Sequence, residues 1–181
     1  SIKTVAVTAV LTCTVSQMAL AQDCKNPETL RFSMIPTEEI SQEIAIYKPL
    51  VEHLETTTGK QVEFFLPTSY ASVVEAMIGG FVQVSMLGPN AYVIANEKRP
   101  SIQAFATYTT KESHFQKEGI GYKGLLLVRS DSDYQSIEDL AGSVVGLTDP
   151  ASTSGNLLPR VSFTGVIGQE LESYFSRVVY T

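Results

Sequence analysis

The sequence has few residues from which a metal or redox site could be built. Among its 181 residues are two cysteines, two histidines and no tryptophan. His53 and His114 are far apart in the chain, so a zinc site has too few ligands, and we expect neither a metal nor another cofactor. Basic residues are also few: 13 Lys and Arg stand against 19 Asp and Glu, a formal charge of −6. Nucleic acid is therefore excluded as an expected partner, because a polyanion would be repelled.

A small anion remains compatible with this charge, since backbone N–H groups can hold it locally. The longest apolar run lies at the N-terminus, from Val5 to Val15, with Lys3 as the sole charge before Asp23. Ala19-Leu20-Ala21 then supplies a small-x-small cleavage pattern. The pattern predicts a cleavable signal peptide over residues 1–21, hence export to the periplasm and no insertion in the membrane after cleavage. The alternative is a short buried helix at the start of the fold.

From Leu30 onward, predicted strands and helices alternate. The strands are residues 30–35, 62–66, 82–87 and 102–108, and the helices are residues 41–58, 70–78 and 90–97. This order implies a parallel sheet with helices on both faces, which binds ligands at the carboxyl ends of its strands.

A polar stretch, residues 109–123, separates this pattern from a second one. Strands are predicted at residues 124–129, 143–147 and 177–180, and Ser136 with Asp139 forms the capping box of a short helix. A longer helix follows the loop 148–155 and ends at a turn over residues 165–168. Pro159 means either that its regular part starts near Leu157 or that it is kinked. We predict an α/β fold with a first lobe at 22–108 and a crossover with an incomplete second lobe at 109–181.

The loop 149–155 is the strongest candidate site. Ser152, Thr153, Ser154 and Gly155 lie between a strand and a helix, where hydroxyls and uncommitted backbone N–H groups meet the positive end of the helix dipole. This arrangement suits an oxyanion. The alternative is plain N-capping, for which one hydroxyl would be enough.

Signatures of catalysis are weak in this sequence, and we predict that the protein is not an enzyme. The G-x-G-x-x-G at residues 119–124 precedes a predicted strand, whereas the dinucleotide fingerprint requires a helix there. His53 and His114 fall on polar surfaces without an identifiable nucleophile. Tyr70 and Tyr92 follow strand ends and could face a cleft, although core packing explains either one equally well.

Several motifs together carry a family resemblance, from about Leu30 to the last residue. In chain order they are Ile35-Pro36-Thr37-Glu38, Tyr47-Lys48-Pro49-Leu50, Ser69-Tyr70-Ala71, Leu87-Gly88-Pro89-Asn90-Ala91-Tyr92, Gly121-Tyr122 and Asp149-Pro150-Ala151-Ser152-Thr153-Ser154-Gly155 with Pro159-Arg160. The chain resembles the phosphate/phosphite/phosphonate-binding periplasmic proteins of ABC importers.

This resemblance implies a two-lobed clamshell of the type II periplasmic-binding fold with mainly parallel sheets. It implies that Ser152, Thr153, Ser154 and Gly155 hold a phosphorus oxyanion, and that Tyr70, Tyr122 and, less directly, Tyr92 line the cleft. Lys123 departs from the aromatic residue that often follows the second tyrosine. The ligand-facing His and acidic residues that come later in the family are absent after Thr181, so an N-terminal fragment that binds poorly is expected.

The expected function is capture of phosphonate, phosphite or phosphate by hinge closure, followed by docking of the monomer on a membrane permease. An exported sensor or receptor domain of the same fold is the alternative, as is a binding protein for another small anion such as a sulfonate.

Overall fold

The computed structural model describes residues 26–37 and 39–181. The predicted signal peptide, residues 1–21, lies outside the described residues, as do Cys24 and Glu38. The described residues form two parallel sheets, which lie in different parts of the chain. The sheet-bearing parts are called the N-terminal unit (residues 29–98) and the C-terminal unit (residues 138–180).

The sheet of the N-terminal unit has three parallel strands in the order β2-β1-β3. Its strands are β1 (Thr29–Met34), β2 (Gln61–Phe65) and β3 (Val84–Met86). Thr29 lies opposite Gln61, and Phe32 lies opposite both Phe64 and Val84. The second half of β1 is buried, as expected for a central strand covered on both faces.

Three helices connect and cover these strands: α1 (Ile40–Thr58), α2 (Tyr70–Ile78) and α3 (Pro89–Lys98). Val51 of α1 packs on Phe32 and Met34 of β1. Helices α2 and α3 pack against each other through a separate cluster, which contains Tyr70, Val74, Ala91 and Ala95. The apolar spacing that predicted α2 therefore corresponds to a real buried face, and its predicted bounds are confirmed.

The C-terminal unit contains a two-stranded parallel sheet, β4 (Val144–Leu147) and β5 (Arg177–Tyr180). Between them lie a helix over residues 153–167, which ends in the α-helical turn α4 (Thr164–Ile167), and the short helix α5 (Leu171–Tyr174). A 3-10 turn, Glu138–Leu140, precedes β4. The unit has its own core, which consists of Leu140, Val145, Leu147, Leu171 and Phe175.

Two predicted strands, residues 102–108 and 124–129, are wrong, since neither forms a β-ladder in the structure. Both segments have a strand-like composition, but neither is paired with a strand among the described residues. A β-strand is defined by its hydrogen-bonded pairing with a neighbouring strand. Their side chains are correspondingly exposed: Phe105 to 75% and Leu127 to 80%. The short helix predicted at Ser136 is a 3-10 turn that starts two residues later, although the capping exchange is present: Ser136 N–H donates to Asp139 Oδ2 at 2.8 Å.

The helix 153–167 takes up Pro159 through wide π turns, which is neither of the two predicted solutions. Its helical residues begin at Thr153, and Leu157 N–H donates to the carbonyl five residues earlier, that of Ser152, at 3.1 Å. A proline has no N–H to offer the carbonyl four residues before it. That carbonyl, of Gly155, accepts from Thr148 N–H instead, at 3.1 Å.

The longest described helix, α1, has 19 residues and carries several charges. Across the described residues, none of the helices has both the length and the apolar character needed to cross a bilayer. Nor do these residues bring together three or more His, Cys, Asp or Glu side chains that could hold a metal ion.

Candidate functional site

A cleft of about 1240 Å³ lies where the two units meet. Residues that follow three parallel strands line it: Ile35 after β1, Leu87 after β3 and Thr148 after β4. The cleft thus lies at the carboxyl ends of the strands, where open α/β sheets bind ligands. Its polar lining consists mainly of hydroxyls, which are those of Thr37, Tyr47, Tyr70, Ser85, Tyr92, Ser101, Thr107, Tyr108, Tyr122, Thr148, Ser152, Thr153 and Ser154.

The three consecutive hydroxyls of the loop 149–155 have three different partners. Ser152 is buried, and its Oγ accepts from Gly155 N–H at 3.0 Å, which is a helix N-cap. Thr153 Oγ1 accepts from Asn90 N–H at 2.8 Å, and Ser154 Oγ lies 2.8 Å from the Tyr122 hydroxyl. Plain capping therefore accounts for Ser152 alone, while the other two hydroxyls face elements on the opposite walls of the cleft.

Gly155 is required by packing. A Cβ at this position would lie 2.1 Å from Thr148 Oγ1 and 2.6 Å from Thr148 Cβ. The close approach brings the start of the helix 153–167 directly onto the residue after β4. The glycine thereby fixes where the three hydroxyls stand.

Tyr70 and Tyr122 reach these hydroxyls from two sides. Tyr70 is the first residue of α2, is 5% exposed, and lines the cleft together with Ser152. Burial raises the pKa of Tyr70, and the nearby Ser152 hydroxyl offsets part of this effect. The phenol therefore stays protonated at neutral pH and able to donate to an anion.

The third predicted tyrosine, Tyr92, also lines the cleft, but its hydroxyl accepts from Ala104 N–H at 3.4 Å. It faces the segment 102–108 and not the loop 149–155. Sequence reasoning missed Tyr108 and Tyr47, which line the same cleft as Tyr122. Burial, followed by the nearby Tyr122, raises the pKa of Tyr108. The position of Tyr108 at the end of a predicted strand was the signal that could have identified it.

The cations among the cleft-lining residues are engaged elsewhere. Lys98 Nζ lies 3.1 Å from Glu75 Oε1. The guanidinium of Arg99 donates to the carbonyls of Met77 and Ile78 at 3.3 and 2.9 Å. The donors around the loop 149–155 are consequently neutral hydroxyls and backbone N–H groups, which can hold an oxyanion without a counter-cation.

A polar network centred on the buried side chain of Asn156 holds this loop in place. Asn156, 8% exposed, donates from Nδ2 to the Pro150 carbonyl at 2.8 Å. Its Oδ1 accepts from Arg160 Nε at 2.9 Å and from the Tyr180 hydroxyl at 3.0 Å. Arg160 Nη1 in turn donates to Glu172 at 2.6 Å. The network ties the loop to the helix 153–167 and to the end of β5, so both ends of the hydroxyl series are fixed.

The fold and the cleft together define an α/β ligand-binding architecture with a neutral, donor-rich site at its strand ends. Residues 32–181 match the family described as "ABC transporter, phosphonate, periplasmic substrate-binding protein". The chain therefore belongs to the phosphonate-binding periplasmic substrate-binding proteins of ABC transporters, as the sequence motifs predicted.

Relatives and solved structures agree with this assignment. The chain is 39% identical over 134 residues to the phosphate-import protein PhnD of Mycolicibacterium smegmatis, covering 74% of this chain and 40% of that protein. It is 28% identical over 136 residues to the phosphonates-binding periplasmic protein of Escherichia coli, covering 73% and 38%. The chain thus spans about two fifths of the length of these relatives.

Among solved structures, the binding protein component of an ABC phosphonate transporter from Pseudomonas aeruginosa matches with a TM-score of 0.66 and 25% identity, covering 84% of this chain and 50% of the other. PhnD1 of Prochlorococcus marinus, in complex with methylphosphonate, matches with a TM-score of 0.59 and 15% identity, covering 86% and 56%. These matches confirm the predicted α/β type II periplasmic-binding fold.

Proposed function

We propose that the protein is the periplasmic substrate-binding component of an ABC importer and that it captures a small phosphorus oxyanion. The observation that carries this proposal is the hydroxyl series Ser152 to Ser154, which lies at the start of a helix, contacts the Tyr122 hydroxyl and shares one cleft with Tyr70. Its family membership supports the transport role. The neutral hydroxyl and N–H donors support an anionic ligand.

The proposed ligand-binding residues are Ser152, Thr153, Ser154, Gly155, Tyr70 and Tyr122. The N–H groups of Thr153 and Ser154 precede the first helical hydrogen bond, which Leu157 donates to Ser152. They are therefore not used by the helix itself, and in this proposal they donate to the anion together with the hydroxyls. Tyr92 lines the same cleft, but its hydroxyl contacts the segment 102–108 and not the loop 149–155.

The proposed mechanism is capture by closure of a first lobe, residues 22–108, over a second lobe that begins at the crossover 109–123. Tyr70 belongs to one lobe and Ser152 to the other, and both line the cleft, so closure places them on two sides of the bound anion. Closure removes water from the bound anion and strengthens every hydrogen bond to it. The closed monomer, exported to the periplasm by its signal peptide, would then deliver the ligand to a membrane permease without altering it.

Titration calorimetry on the full-length mature protein tests this function. The ligands are phosphate, phosphite, methylphosphonate, aminoethylphosphonate, sulfate and a small sulfonate. We expect one phosphorus oxyanion to bind at micromolar or lower Kd, Ser154→Ala to weaken it at least fivefold, and Ser136→Ala, which changes a serine outside the cleft, to leave it unchanged. Binding of sulfonates alone, or of none of the six by folded protein, would contradict the proposal.

A further inference from the structure

The loop 149–153 of the C-terminal unit is docked on the starts of two helices of the N-terminal unit. Asn90, the second residue of α3, donates its backbone N–H to Thr153 Oγ1 at 2.8 Å and its side-chain Nδ2 to the Ala151 carbonyl at 3.1 Å. The Ala151 side chain packs against the cluster that joins α2 and α3. These contacts link residues more than 60 positions apart in sequence.

Helix α3 depends on this docking for a side-chain cap. Its N-cap residue is Gly88, which has no side chain, and its first residue is Pro89, which has no N–H. The N–H of Asn90 is therefore the first donor of the helix that needs a partner. Thr153 supplies the oxygen that a serine or aspartate at the N-cap position would otherwise provide.

Asp149 makes the corresponding contact at α2. Its Oδ1 accepts from Ala151 N–H at 2.7 Å, which shapes its own loop, and its Oδ2 lies 3.4 Å from the N–H of Tyr70, the first residue of α2. A carboxylate at this place is favoured by the helix dipole. This distance is long for a hydrogen bond. The contact of the loop with α2 therefore depends on the charge of Asp149 together with the packing of the Ala151 side chain.

We propose that Asp149 and Asn90 are positioning residues that clasp the two units and thereby set how long a bound oxyanion is retained. The clasp, defined as the contacts of Asp149 with Tyr70 and of Asn90 with Ala151 and Thr153, joins the loop that carries the proposed anion donors to the helix that carries Tyr70. The proposal rests on the proposed function, because the retained molecule is the oxyanion of that site. Loosening the clasp frees the cleft to open, so it raises the dissociation rate and changes the association rate little.

The test uses the full-length protein and two variants, Asp149→Asn and Asn90→Ala. The first keeps an acceptor for Ala151 N–H and removes the charge that faces α2, and the second removes the bond to the Ala151 carbonyl. The matched control is Asp139→Asn, because Asp139 also caps backbone N–H groups, at Gln135 and Ser136, but within one local turn and away from the N-terminal unit.

Two measurements are made on each protein: amide hydrogen exchange without ligand and stopped-flow dissociation of methylphosphonate. For both variants we expect the backbone amide of residue 90 to lose protection by about three- to tenfold and the dissociation rate to rise by a similar factor. The control is expected to match the unmodified protein in both.

Unchanged protection of the backbone amide of residue 90 in both variants would overturn the clasp, whatever the ligand does. A faster dissociation without loss of protection would also overturn it, since the effect would then come from ligand contact. If the unmodified protein binds no phosphorus oxyanion, the proposed function fails, and the exchange measurement still decides the clasp by itself.

Discussion

Replacing Asn156 by alanine removes the centre of the polar network that holds the loop 149–155 in place. The side chain is 8% exposed and makes three hydrogen bonds, to the Pro150 carbonyl, to Arg160 Nε and to the Tyr180 hydroxyl, at 2.8, 2.9 and 3.0 Å. Asn156 lies two residues after Ser154, so the substitution loosens the loop without touching any proposed ligand donor.

The loss in free energy of unfolding depends on which of the three partners can form other hydrogen bonds once Asn156 is replaced. A net hydrogen bond is worth about 1 kcal/mol, and one to a charged group about 1.5–3 kcal/mol. Tyr180 is 45% exposed, and Arg160 keeps its bond to Glu172, so water and Glu172 satisfy part of what is lost. We therefore expect Asn156→Ala to lower the free energy of unfolding by about 2 kcal/mol, which is less than the sum of the three bonds. Loss of loop order is expected to weaken oxyanion binding about tenfold, equivalent to about 1.4 kcal/mol.

Urea unfolding and titration calorimetry measure the two effects on the same protein. The matched control is Glu172→Ala, which removes the ion pair with Arg160 and leaves Asn156 in place. Both partners of this pair are partly exposed, at 29% and 54%, so the control is expected to cost less than about 1 kcal/mol and to leave Kd unchanged. Equal effects of the two substitutions on Kd, or no loss of affinity in Asn156→Ala, would refute the idea that Asn156 positions the loop.

Three further predictions concern the same cleft. Tyr70→Phe keeps the buried ring but loses the hydroxyl that lies in the cleft with Ser152. Calorimetry is therefore expected to give a Kd about three- to tenfold higher, with an unfolding free energy within about 1.5 kcal/mol of the unmodified protein. An unchanged Kd would remove Tyr70 from the site. Gly155→Ala forces its Cβ onto Thr148 and is expected to cost about 1–3 kcal/mol in urea unfolding, with near-zero cost contradicting the packing role. Burial raises the pKa of Tyr70 and Tyr108 in the folded chain above the ordinary value of about 10, so the unfolded chain loses these protons first. Their contribution to the unfolding free energy is fully present below about pH 9 and is expected to fall as the pH rises above about 10; replacing both residues by Phe should abolish this part of the decline.

The helices and paired strands were predictable because their signals are local. The predicted bounds of α2 match the observed ones, and its inward-facing residues Val73, Val74 and Met77 are buried. The segments 102–108 and 124–129 carry the same strand-like composition, but a strand exists only where a second one pairs with it. That information depends on the tertiary arrangement and is not carried by the segments themselves.

The helix 153–167 shows a second limit of local reasoning. Pro159 signals a break in ordinary helical bonding, and either a late start or a kink would satisfy its ring. The structure instead gives the freed Gly155 carbonyl to Thr148, a residue on the preceding strand end. The choice among these solutions is set by a contact between two elements, so the proline by itself could not decide it.

For the site, the sequence predicted the hydroxyl loop and its surroundings but not how its members are joined. Ser152, Ser154, Tyr70 and Tyr122 share one cleft in the structure, while their binding of a ligand stays a prediction. The bonds of Asn90 to Thr153 and of Asn156 to Arg160 were not foreseen. The first contact joins two units of the chain, and the second joins residues four apart in a helix whose course around Pro159 was left open.

The central claim, that the start of the helix 153–167 holds a phosphorus oxyanion, is tested most directly by NMR. Uniformly ¹⁵N-labelled full-length protein is titrated with methylphosphonate and the backbone amide shifts are followed. The account predicts that the largest downfield shifts fall on the N–H groups of Thr153 and Ser154, with smaller changes at Tyr70 and Tyr122. A second, smaller cavity is lined by residues 112–117 and 121–123. Amide shifts confined to that cavity, with the amides of Thr153 and Ser154 unmoved, would contradict the account.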